Sequence, residues 1–174
     1  VEKPLAIATE GLDQLAREAT VGEVPVLVGY QLRYHPLVQE AYELCRLRSL
    51  GEIIALRFNV GQHLQGFRPG RAIETTVTPN KDLGGGAIFE LSHEVDLALH
   101  FAGSAKDVLA QISRSGHATS EVEDVANIVV HHVEGPLSTI HINLLERPIR
   151  LPATARVGGW LSRNGIRQIT INHA

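Results

Sequence analysis

Three consecutive glycines, Gly84-Gly85-Gly86, run directly into Ala-Ile-Phe-Glu90-Leu-Ser-His93-Glu-Val-Asp96. This stretch constrains the chain most. Residues without a Cβ free the backbone for a sharp turn, and the apolar periodicity that follows predicts a helix over roughly residues 86–102. A glycine loop opening a helix leaves unpaired backbone N–H groups and a positive dipole end. The run also carries a carboxylate, an imidazole and a second carboxylate, each three residues from the next. On a helical wheel at about 100° per residue, Ile88, Leu91, Val95, Ala98 and Ala102 form one apolar stripe. His93, Asp96 and His100 project from the opposite side, with Glu90 and Asp96 about 60° to either side of His93.

A core helix needs the stripe but not an imidazole bracketed by carboxylates. The chemical reading makes His93 a general acid/base, since a histidine titrates near neutrality. Neighbouring carboxylates favour the protonated ring and a helix N-terminus disfavours it, so the sequence leaves the sign of the shift open. The competing reading is a solvated helix face with an ordinary E-x-x-H-x-x-D charge pattern. Metal binding is a third, since His and carboxylates at helical spacing can ligate zinc. His131-His132 and His141 fall on alternating strand positions and supply no third ligand at a recognisable spacing.

The 174 residues suffice for one substantial core, or one domain plus part of another. A net charge of −3 with interspersed signs gives no electrostatic footprint for nucleic acid. No apolar run reaches the length of a membrane span, and the single cysteine, Cys45, fits a reducing cytoplasm and reads as a core thiol. The chain holds no methionine and starts at Val1 on an apparent strand end, like the later part of a longer protein.

Residues 10–20 place Leu12, Leu15, Ala16 and Ala19 at helical spacing, with Thr9 as a cap. Pro25 to Tyr30 predicts a buried parallel strand. His35-Pro36 opens a helix that Gly51 ends. From Glu52 to Gln62, Ile54, Leu56, Phe58 and Val60 alternate with Ala55, Arg57 and Asn59, predicting a strand with one covered face. Residues 63–83 form a long irregular connection of the kind that usually serves function. Alternating segments near 107–114, 124–133, 137–146 and 154–161 predict an antiparallel sheet. The alternation at Ile128, Val130, Ile140 and Ile142 is compatible with two covered faces, one of them intermolecular.

Taken together, Glu2-Lys3-Pro4, Gly29-Tyr30-Gln31-Leu32-Arg33-Tyr34-His35-Pro36, the Gly84–Asp96 stretch and Glu121-Val-Glu-Asp124-Val-Ala-Asn resemble the Gfo/Idh/MocA family. These are oxidoreductases related to glucose–fructose oxidoreductase and inositol dehydrogenase, and the resemblance spans roughly residues 1–150. It implies a Rossmann domain that binds NAD or NADP, followed by an α/β domain whose open, mostly antiparallel sheet has helices on one face and mediates association. By resemblance, Lys3 and His93 are the catalytic pair, Lys3 beside the nicotinamide and the substrate hydroxyl, His93 exchanging its proton. Arg33, Glu90 and Asp96 are implied substrate contacts. Phe67-Arg68 resembles a Trp-Arg pair, which makes Arg68 a cofactor contact alongside Lys3. Taken on its residue type alone, Lys3 is equally a surface lysine before a helix, and Tyr30 reads as packing at a strand end.

The chain departs from the family pattern in four places. It lacks the Gly-x-Gly-x-x-Gly turn that cradles a pyrophosphate. The Gly84-to-His93 interval is one residue shorter than usual, which unsettles the alignment of Glu90. Ala72-Ile73-Glu74 replaces an Asp-Tyr-Arg-like segment. Beyond about Leu151 the tail does not follow the usual ending and reads as altered or truncated. The expectation is therefore residues 1–34 as a Rossmann remnant and 35–174 as a substrate and oligomerisation domain. Its chemistry would be NAD(P)-dependent oxidation of a sugar, cyclitol or polyol, inactive in this chain alone. A non-catalytic dimerisation module built on the same fold is the alternative.

Overall fold

The computed structural model describes residues 1–64, 70–117, 121–146, 160–162 and 165–173. The amino-terminal segment leads into helix α1 (Leu12–Val21), which begins at left-handed Gly11; Thr9 contributes its carbonyl to Leu12 N–H rather than its hydroxyl. No residue of α1 is buried. Residues 25–30, expected as a buried strand, form no regular secondary structure, and Val26 and Leu27 are exposed. Val1 N–H donates to Leu27 O at 2.8 Å and Gly29 N–H donates to Val1 O at 2.8 Å. Those two bonds frame Val28 in the parallel ladder pattern. Only Val1 pairs there, so the ladder stops after one step.

A 3₁₀ turn at Gln31–Tyr34 precedes helix α2 (Pro36–Arg46). Pro36 occupies the first turn, where its missing N–H costs nothing, and His35 caps it by accepting Leu37 N–H on Nδ1. The helix ends at Arg46, short of Gly51; Arg48, at φ 52°, takes the chain into the left-handed region first.

Strand β1 (Ile53–Gly61) buries Leu56, Phe58 and Val60, as the alternation predicts, while Ile54 is exposed. The expected single helix over 86–102 is two: α3 (Ala87–Glu90) and α4 (His93–Ala102), broken at Leu91–Ser92. Leu91 leaves helical geometry at φ −109°, ψ 29°. Periodicity alone could not reveal this, because the apolar spacing continues through the break.

Strands β2 (Ala105–Ser113), β3 (Val125–His132), β4 (Leu137–Asn143), β5 (Trp160–Ser162) and β6 (Gly165–His173) complete a six-stranded sheet. The spatial order is β2-β3-β4-β1-β6-β5. All pairings are antiparallel except β1 with β4, which is parallel. The mixed α/β architecture with an open sheet and helices on one face agrees with expectation. The tail read as altered supplies β6, a strand paired with β1 along nearly its whole length.

Ile128, Val130, Ile140 and Ile142 lie on one face and join Leu56, Phe58, Leu97 and Ala98 in the core. The chain's own helices cover this face. The other face carries Arg57, Asn59, Asn127, Val129, Thr139 and His141. On the edge strand β2 every residue is exposed, Val108, Leu109 and Ile112 included.

Candidate active site

The glycine loop makes its turn by close packing. Gly84 sits at φ 77° and Gly86 at φ 109°, conformations that side chains other than glycine rarely adopt. At Gly85, a Cβ would stand 2.3, 2.5 and 2.7 Å from the carbonyl oxygens of Thr78, Val77 and Asn80. The helix end that follows is not an open anion cradle. Ala87 N–H donates to the main-chain carbonyl of Glu123, and Ile88 N–H to its carboxylate at 3.0 Å. A side chain thirty-five residues away thus caps α3.

The break after α3 has a second consequence. In a continuous helix the carbonyls of Phe89 and Glu90 would accept His93 and Glu94 N–H. Glu94 N–H turns to Leu91 O instead. The Lys3 ammonium takes the released carbonyls, with Nζ 2.5 Å from Glu90 O and 3.5 Å from Phe89 O. These carbonyls orient the cation without neutralising it. Lys3 is half-buried. The Lys3-Pro4 peptide bond is cis.

His93 starts α4 and is 6% exposed; Asp96 is 7% and Glu94 1% exposed. The solvated-face reading fails on this burial. The ring of Tyr30 stands edge-on to His93, centroids 5.6 Å apart at 81°, so Tyr30 packs on the site rather than at a strand end. Asp96 is held by Arg33 in a bidentate pair, Nε to Oδ2 at 2.8 Å and Nη2 to Oδ1 at 2.5 Å. The Asp96 carboxylate bound to it pushes the Arg33 guanidinium pKa above its ordinary value, burial opposing. Glu90 accepts the Thr78 hydroxyl at 2.7 Å. The hydroxyl of Ser92, next to His93, is buried with no hydrogen-bond partner among the described residues.

Lys3, Glu90, His93, Asp96 and Arg33 therefore gather around the α3–α4 junction. Arg68 and its neighbour Phe67 lie outside the described residues. Sequence reasoning missed Thr78 and Glu123, which reach the junction across long connections and carry no local signal. Along α4, His100 stacks on Tyr42 with centroids 4.2 Å apart. Desolvation lowers the His100 pKa, Arg33 adds to this, and Asp96 opposes it.

The histidines weighed as metal ligands have other partners. His132 Nδ1 lies 2.8 Å from Gly103 O and its Nε2 2.8 Å from Ser138 Oγ, while His141 Nδ1 lies 2.8 Å from Asn127 Oδ1. Among the described residues no group of three His, Cys, Asp or Glu is placed to hold a metal ion. Among the described residues no helix is long and apolar enough to cross a membrane. The Glu123 carboxylate fills the end of the glycine-led helix.

The sheet is open and mixed with helices on one face, and His93 heads the helix behind the glycine loop. Residues 38–158 match the family model of the GFO/IDH/MocA C-terminal domain, and the chain belongs to that family. An NAD binding oxidoreductase from Klebsiella pneumoniae superposes with a TM-score of 0.75 at 18% identity, covering 99% of this chain and 44% of that one. The WlbA dehydrogenase from Bordetella pertussis, in complex with NADH and UDP-GlcNAcA, gives 0.72 at 22%, covering 86% and 42%. An inositol dehydrogenase homolog from Azotobacter vinelandii, complexed with NAD+, gives 0.70 at 19%, covering 83% and 39%. At these identities the likeness shows the fold, and the chain spans less than half the length of these structures. No curated protein matches the sequence.

Proposed function

We propose that this chain is the substrate half of an NAD(P)-dependent oxidoreductase acting on a sugar, cyclitol or related polyol. The observation that carries the reading is the junction itself, where a half-buried Lys3 is held on the Glu90 carbonyl and a buried His93 follows three residues on. Oxidising a secondary alcohol requires a hydride acceptor and a proton acceptor, and these residues serve the second need. The His93 imidazole takes the hydroxyl proton. The Lys3 ammonium steadies the negative charge that develops on oxygen. Arg33, Glu90 and Asp96 are assigned to substrate contact.

On this reading residues 1–34 end a dinucleotide-binding domain and 35–174 form the substrate domain. The one-step parallel ladder at Val28 and the exposed Val21, Val24, Val26 and Leu27 suit packing against a nucleotide-binding half. Arg68, with Lys3, is assigned to the cofactor side, and a reducing cytoplasm suits the single Cys45. Nuclear magnetic resonance titration with a panel of sugars and cyclitols tests the substrate half. Signals of His93 shift in the 174-residue chain with at least one of them, and a panel that leaves His93 untouched sinks the reading. The isolated chain shows no nicotinamide reduction, and turnover with any polyol would overturn its incompleteness.

A second reading, an assembly module pairing two copies through the open sheet, has the exposed apolar residues Val108, Leu109 and Ile112 of β2 in its favour. Light scattering separates it from the first. A strict monomer with a folded far-UV spectrum removes it.

A further inference from the structure

We propose that Arg33 is a positioning residue for His93: by gripping both oxygens of Asp96 it cancels a negative charge one helical turn from the imidazole and keeps the ring unprotonated at neutral pH. The proposal rests, for its catalytic meaning, on His93 being the proton acceptor.

His93 and Asp96 stand three residues apart on α4, where side chains are neighbours. Both are buried, so solvent screens their interaction weakly. A bare carboxylate at that distance favours the protonated ring, and an imidazolium cannot take a proton from a hydroxyl. The bidentate geometry leaves neither Asp96 oxygen without a cationic donor. Arg33 lies on the turn that directly follows Tyr30, whose ring edge meets His93. One segment thus supplies both the counter-charge and the steric stop.

Glu90 precedes His93 on α3 and accepts from Thr78. Glu94 follows it, buried, on α4. Lys3 brings positive charge to the Glu90 carbonyl, and Tyr30 faces the ring across the junction. Two turns along α4, burial and the same Arg33 lower the pKa of His100, with Asp96 opposing. The Arg33 guanidinium closes both oxygens of Asp96, so its removal uncovers that charge.

The test is a pH titration of imidazole signals in the 174-residue chain, with His93 assigned by the signal lost in His93→Gln. Arg33→Gln moves the His93 midpoint up by roughly one pH unit. Asp96→Asn moves it down, because Arg33 then faces the ring uncompensated. The double variant returns it to within a few tenths, and Arg33→Lys, which keeps the charge, stays near the parent. A lost packing contact would not give opposite signs from the two partners. An unchanged midpoint in Arg33→Gln, or shifts of the same sign in both single variants, overturns the proposal. Should Arg33→Gln fail to fold by far-UV dichroism, Asp96→Asn carries the test alone, and a midpoint that holds or rises overturns it. The catalytic reading fails separately, if His93→Gln leaves the sugar and cyclitol titrations unaltered while these midpoints still move apart.

Discussion

The Lys3 ammonium lies 2.5 Å from the main-chain carbonyl of Glu90, an acceptor available because α3 ends there. A helix break thus supplies a docking point for a charged side chain eighty-seven residues earlier in the chain. Hydrogen bonds from a charged group typically contribute about 1.5–3 kcal/mol, less where solvent reaches them. Lys3→Met should therefore destabilise the chain by about 1–2 kcal/mol in urea unfolding. A variant as stable as the parent would mean that this contact anchors nothing.

Gly85 is expected to tolerate no side chain. Its surroundings are three main-chain carbonyls closer than any Cβ contact allows, so Gly85→Ala must move backbone. A cost of about 1–3 kcal/mol or more follows from overpacking. Gly11→Ala is the control: its site is open and only the left-handed φ of 78° is penalised, by about 1–2 kcal/mol. Denaturant midpoints of the two variants should rank in that order.

Ser138→Ala tests the buried His132. With Nδ1–H donated to Gly103 O, Nε2 must accept the Ser138 hydroxyl, and both side chains are buried. Removing the hydroxyl leaves a buried acceptor unmet, at about 1–3 kcal/mol. Guanidinium unfolding reads the loss, and a neutral result would show that another donor replaces the serine.

How much of this was legible in advance depended on range. His35-Pro36 announced α2, and the alternation from Leu56 to Val60 announced a strand with a covered face, because caps and period-two patterns are local. The break at Leu91–Ser92 was invisible because a stripe of apolar residues continues through it. Glu123 at the start of α3 and Thr78 on Glu90 were illegible for another reason: each contact closes a long connection. The segment from Pro25 to Tyr30 has strand composition yet makes a single ladder step, since a strand needs a neighbour as much as a pattern. The site's residue types were readable; its electrostatics, set by Arg33 across sixty-three residues, were not.

Acid should weaken the fold through His100. Its pKa lies below the ordinary 6.5, mainly because burial disfavours the charged ring. The unfolded chain therefore binds this proton more readily, and stability falls as pH drops from about 6.5 toward the lowered folded value. Above that window the contribution is fully present. His100→Phe, which keeps an aromatic ring against Tyr42, should flatten this part of the curve of melting temperature against pH. An unchanged slope would assign the acid sensitivity elsewhere.

The pairing of β1 with β6 sets a timetable for folding. Ile53 lies opposite His173, so β1 finds one neighbour only when residues far later in the sequence are made. Its other neighbour, β4, also comes late. Contacts this distant in sequence slow folding. During synthesis β1 must wait with its apolar residues and strand edges uncovered, a state that invites pairing with other chains. Removing β6 would make that passing exposure permanent.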